Sequence, residues 1–101
     1  MARFVEVCRL ADLPEGRGHG VEVNGLRLAL FREGEEVHAF LSRCPHANAP
    51  MERGWVEDGE AVCSLHHWRF RLTTGRCTNV RGASIHRFAC EVRDGQVWVA
   101  V

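Results

Sequence analysis

Residues 44–68 read CPHANAPMERGWVEDGEAVCSLHHW. Within them, Cys44-Pro45-His46 and Cys63-Ser64-Leu65-His66 form two mixed thiol–imidazole pairs, separated by 16 residues. Such pairs act together only if the chain folds back and brings two loops to one place. That requirement limits the fold more than any feature of composition. The chain has five cysteines and opens MARFVEVCRL, which reads as a strand and not as a basic, apolar leader. An odd count without a secretory leader points to a reducing compartment, the cytoplasm, where grouped Cys and His serve as metal ligands. Of the other cysteines, Cys8 and Cys90 sit in strand-like runs and read as small buried hydrophobes. Cys77, in the turn-like TTGRCTN, reads as a free thiol without a role.

The remaining sequence is a series of short alternating runs punctuated by turns. RFVEVCRL ends at LPEG, with room for one helical turn in LADLPEG. VEVNGLRLAL carries Asn24-Gly25 between apolar runs, a strong short hairpin signal. LRLALFR and VHAFLSR flank EGEE as a second hairpin; AVCSL and WRFRL form a third. FACEVRDGQVWVAV makes two runs around Asp94-Gly95. No window shows helical periodicity, so the expected fold is all-β, an antiparallel β-sandwich or barrel. A length of 101 residues suits one domain, 1–101. The ligand pairs then fall in two loops at one tip, at about 43–51 and 63–68, where Pro45 fixes the backbone of the first.

Composition excludes several functions. Acidic and basic residues balance at 13 each, which argues against nucleic acid, and the apolar runs are too short for a membrane span. The motifs of mononuclear iron triads, nucleotide loops and base-activated nucleophiles are missing. His19 and His38 read as surface residues. His86 could lie near the metal but carries no motif. Trp55, Trp68 and Trp98 read as packing the core or shielding the site.

Cys2His2 is a structural zinc set, so zinc has to be weighed first. Zinc fingers usually group the two cysteines and the two histidines, whereas here each loop supplies one of each. The alternation suits a two-iron cluster with both thiolates on one iron and both imidazoles on the other. CPHANAPMERG, with Pro50 and Gly54, and CSLHHWRFRLTTG resemble the two cluster loops of the Rieske iron–sulfur family. The resemblance implies one [2Fe–2S] cluster per chain, with Cys44 and Cys63 on the inner iron. It places His46 and His66 on the outer iron, bound through Nδ1. Three departures stand out. His67 occupies a position usually held by Gly, which suggests a left-handed backbone that His tolerates and a structural role without ligation. Around Met51 and Leu65 there is no extra cysteine pair of the cytochrome bc branch. Trp68 and Phe70 stand where that branch has hydroxyl donors to the cluster.

Two ferric ions, two sulfides and two thiolates sum to zero, so the oxidised site is neutral and accepts an electron more readily than an all-thiolate cluster. Fewer hydrogen bonds to sulfur pull the other way. The resemblance therefore implies a monomeric, low-potential Rieske-type ferredoxin carrying single electrons from a flavin-dependent reductase to a terminal oxygenase. One alternative is the small subunit of a larger reductase such as assimilatory nitrite reductase, many of which lack the ligands. Another is a zinc-stabilised interaction module, which would be colourless instead of brown.

Overall fold

The computed structural model describes residues 3–45 and 48–101. Among the described residues, ten strands form three antiparallel sheets. The middle sheet has the order β2 (Gly18–Val23), β3 (Leu26–Glu33), β4 (Glu36–Leu41), β8 (Arg87–Phe88). A second sheet places β10 (Gln96–Ala100) between β1 (Phe4–Arg9) and β9 (Cys90–Arg93). The third, of β5 (Trp55–Glu57), β6 (Glu60–Val62) and β7 (Arg69–Arg71), carries the second ligand loop. Short 3-10 turns occupy Leu10–Asp12 and Met51–Arg53. Among the described residues no helix is long and apolar enough to cross a membrane.

Strand periodicity explains how one sheet serves two cores. Leu28, Ala29, Leu30 and Phe31 of β3 are all fully buried, as expected of a strand covered on both faces. Alternate side chains point opposite ways. Leu28 and Leu30 join Ala39, Val97 and Val99 under the β1-β10-β9 sheet. Ala29 and Phe31 join Phe40, Phe70, Cys44 and Cys63 on the other side. Phe31 and Phe40 meet edge to face at 5.9 Å, and truncating either would cost about 3–5 kcal/mol. The metal-loop side thus rests on the same strands that anchor the opposite core.

The turns follow their residues. Asn24-Gly25 and Asp94-Gly95 have left-handed φ at both positions, 50° and 80°, then 49° and 77°, the backbone of a tight hairpin. The expected hairpins form at β2–β3, β3–β4, β6–β7 and β9–β10. One more, β5–β6, turns at Asp58-Gly59 with φ 51° and 75°. It carries the same Asp-Gly pair as the β9–β10 turn. The run FACEV also divides. Arg87–Phe88 pairs with β4, while Cys90–Arg93 pairs with β10, so one stretch of chain serves two sheets.

His38 differs from expectation: it is 6% exposed, on the face of β4 shared with Phe40. Its Nε2 lies 3.5 Å from Glu36 Oε1. Loss of water, reinforced by the charge of Arg87, pushes its pKa below the ordinary histidine value against the opposing pull of Glu36 and Glu33. The unfolded chain then takes up this proton at higher pH than the folded one, so stability falls as pH drops below about 6.5. Replacing His38→Leu should reduce the loss of urea midpoint between about pH 7.5 and about pH 5.5. An undiminished loss in equilibrium unfolding would place the effect on other histidines.

Candidate metal centre

Each of Cys44 and Cys63 is tied to its own segment by a backbone hydrogen bond. After β4, the Cys44 N–H donates to the Ala49 carbonyl and the Asn48 N–H donates to the Cys44 carbonyl, both at 2.8 Å. After β6, the Cys63 N–H donates to the Trp68 carbonyl at 2.8 Å, closing residues 64–67. Cys63 stands one residue beyond β6, and Cys44 three residues beyond β4. Cys44 and Cys63 are fully buried and belong to one core cluster with Ala49, Met51 and Phe70. His66 lies in the loop region of the second pair and is exposed, with φ 63°. His46 lies outside the described residues. Among the described residues no three potential ligands come together.

Backbone contact joins the two loops. A Cβ on Gly54 would collide with the Val62 carbonyl, immediately before Cys63, and would lie 3.2 Å from the Met51 carbonyl. Only glycine lets the chain leaving the first loop pass so closely beneath the start of the second. The first loop is also tied by side chains. Glu52 accepts from Arg27 Nε at 3.0 Å and from Arg27 Nη2, and the Ser42 hydroxyl donates to its other oxygen. The Arg27 guanidinium, helped by Ser42, holds the Glu52 carboxyl below the usual carboxylate range despite partial burial. Ser42 and Glu52 bracket the loop, so this network fixes its two ends.

The second loop turns through two successive left-handed residues, His66 and His67, with φ 63° and 55°. His67 thus holds the backbone expected where the family favours Gly. Asn79 braces the turn. Its Nδ2 donates to the His67 carbonyl at 2.9 Å, and its Oδ1 accepts from the Arg69 N–H at 3.0 Å. Oδ1 also accepts from Cys77 Sγ at 3.4 Å. On the other side, the His67 ring packs edge-on against Trp55 at 5.4 Å. Trp55 Nε1 donates to Glu57 at 2.7 Å.

Some expectations change. Cys77 is buried in the metal-side core and bonded to Asn79, so it belongs to the support of the second loop. Cys8 and Cys90 are only half-buried, flanking β10 against the other core. Burial first, then the neighbouring Cys8, raises the Cys90 thiol to about 12. Trp68 packs on the metal-side core. Trp98 lies on the far sheet beneath the Arg93 guanidinium, where it cannot shield the loops. His86 packs on Phe88 at 4.5 Å, which belongs to the opposite core. Asn79 escaped the sequence reading because its role depends on folding back onto a loop 12 residues earlier.

Two buried cysteines in one core cluster, with the exposed His66 in the second loop, suit a soft metal centre beneath a solvent-facing edge. The donor chemistry fits a mixed thiolate–imidazole iron–sulfur protein. Residues 3–94 match the Rieske [2Fe-2S] domain. The ferredoxin component of naphthalene 1,2-dioxygenase/salicylate 5-hydroxylase systems from Ralstonia sp. is 39% identical over 77 residues, 74% of each chain. The ferredoxin of carbazole 1,9a-dioxygenase from Nocardioides aromaticivorans IC177 superposes with TM-score 0.87, 28% identity and 96% coverage of both chains. A Mycobacterium tuberculosis protein assigned as an NADH-dependent nitrite reductase small subunit gives 0.92 at 28% identity. That match covers 100% of this chain and 96% of the other. The chain belongs to the Rieske [2Fe-2S] domain family, and its cofactor is a [2Fe–2S] cluster.

Removing the Asn79 brace should loosen the second loop without removing a ligand. Asn79→Ala is expected to speed bleaching of the visible spectrum by a ferrous chelator about tenfold, equivalent to ~1.4 kcal/mol. A rate equal to wild type would show that Trp55 packing alone holds the loop.

Proposed function

We propose that residues 1–101 act as one Rieske domain and a monomeric one-electron carrier, a ferredoxin working in the cytoplasm. It takes electrons from a flavin-dependent reductase and hands them to a terminal oxygenase. The carrying observation is its likeness to oxygenase-system ferredoxins along most of its length. The ligands we assign are Cys44 and Cys63 on the inner iron and His46 and His66 on the outer, in loops 43–51 and 63–68. Complete burial of both cysteines and exposure of His66 support this assignment. When bound, the cluster accepts and returns one electron. The cysteines keep the thiolate half away from water, and the His66 side of the second loop presents the site to a partner. Leu65, 48% exposed beside it, supplies an apolar contact suited to brief association.

A second reading, the small subunit of a nitrite reductase, is favoured by the close superposition on the Mycobacterium tuberculosis protein. Mixing the chemically reduced protein with a terminal oxygenase, and separately with a nitrite reductase large subunit, separates the two. Reoxidation by the oxygenase alone supports the first; reoxidation by the large subunit alone replaces it.

The purified protein should contain two irons and two acid-labile sulfides per chain, as the [2Fe-2S] formula requires. Cys63→Ser should abolish the brown colour and lower stability, because metal binding contributes to folding. Elemental analysis finding one zinc and no sulfide would end the cluster assignment.

The potential follows from the surroundings of the thiols. Phe70 is fully buried in the cluster that holds Cys44 and Cys63, and Trp68 packs against that cluster. Neither side chain has a hydroxyl to donate to sulfur. The midpoint should lie near −150 mV, at the lower Rieske limit, and Trp68→Ser with Phe70→Tyr should raise it. Protein-film voltammetry giving a wild-type midpoint above about +200 mV would show that hydroxyl donors do not set it.

A further inference from the structure

Residues 61–90 contain five arginines, three histidines and no carboxylate, although the chain as a whole is neutral. Two of these arginines are occupied within the fold. Arg69 pairs with Glu60 at 2.6 Å and Glu57 at 3.3 Å, and Arg87 Nε donates to the Leu72 carbonyl at 2.9 Å. Arg71 lies opposite Glu60 across β6–β7. Arg76 and Arg81 are exposed and make no ion pair among the described residues. Arg71, Thr74, Arg76 and Ser84 line one surface depression. Arg76, Arg81 and Ser84 line a second, so the two adjoin.

This face is preformed. The Arg71 N–H donates to the Arg76 carbonyl at 2.9 Å, Cys77 to Ala83 at 3.0 Å and Ile85 to Gly75 at 2.8 Å. It also borders the site, because Asn79, in the same segment, bonds the His67 carbonyl. A single exposed guanidinium–anion pair is worth only about 0–1 kcal/mol in water, so a small anion gains little here. Several carboxylates on a protein face gain together and are steered on approach.

We propose that the Arg71–Arg76–Arg81 face docks an acidic protein surface, that of the electron-transfer partner, beside the second ligand loop. This rests on the electron-carrier reading. The binding test uses fluorescein-labelled poly-L-glutamate and fluorescence anisotropy on the intact protein. Arg76→Glu with Arg81→Glu should weaken binding more than about tenfold at low salt, and raising salt to about 0.15 M should weaken wild type. Arg9→Glu with Arg93→Glu should change it less than about twofold, since both arginines lie beside their own carboxylates. Absence of wild-type binding, or equal weakening in both double variants, would overturn the proposal. Displacement by millimolar inorganic phosphate at constant ionic strength would instead define a small-anion site. Tighter binding of a labelled thymidine oligonucleotide would define a nucleic-acid face; either result also overturns it. Electron delivery from the reduced protein to the oxygenase should fall about tenfold in the Arg76/Arg81 variant at low salt and approach wild type at high salt. An unchanged rate would overturn the docking role. Iron and sulfide content, read separately, tests the carrier itself: a protein lacking both that still binds poly-L-glutamate would sink the carrier and leave the acidic surface standing.

Discussion

The passage of Gly54 beneath the Val62 carbonyl is the contact on which the tip of the molecule depends. It brings the chain leaving the first ligand loop against the residue that precedes Cys63. Any side chain there would displace backbone from backbone, and neither can yield as the end of a flexible side chain can. The Arg27–Glu52–Ser42 network sets the ends of one loop, and Asn79 with Trp55 sets the other. The contact at Gly54 sets the loops against each other. Ligand geometry is therefore carried by main chain and buried core, which suits a centre that must change charge without moving.

Burial and exposure divide the site along its chemistry. The thiol side shares a core with Phe31, Phe40 and Phe70, where water is excluded and a net charge would be costly. A neutral oxidised cluster is compatible with that environment. The loop region of His66 instead faces solvent beside Leu65 and His67. The arginine face continues from there through Asn79. Apolar contact at the loop and opposite charge beside it act on different stages of an encounter. Charge governs approach, and the small apolar area limits how long the complex lasts.

Sequence alone disclosed the local features. Asn24-Gly25 and Asp94-Gly95 fixed two hairpins because their backbone preferences need no tertiary help, and Asp58-Gly59 offered a third by the same logic. The cysteines and histidines stood out by spacing, and the left-handed backbone at His67 followed from the glycine it replaces. What remained hidden depends on packing. His38 lies on a strand whose pattern does not reveal that both faces are covered. Residues 87–93 form one alternating run, yet two different sheets claim its halves. Asn79 is an ordinary loop residue until the chain returns it to the His67 carbonyl.

The paired left-handed residues at His66 and His67 show how such a loop is sustained. Each non-glycine residue held there costs of order 1 kcal/mol, and two in succession occur only where their surroundings fix them. Glycine at position 67 would relieve part of that strain but would leave the Trp55 ring without its edge contact. Histidine restores the contact and keeps the carbonyl presented to Asn79. The apparent departure at this position is therefore a substitution of support. Backbone freedom is exchanged for an aromatic brace, and the strained turn is held from both sides while its neighbour, His66, remains at the surface.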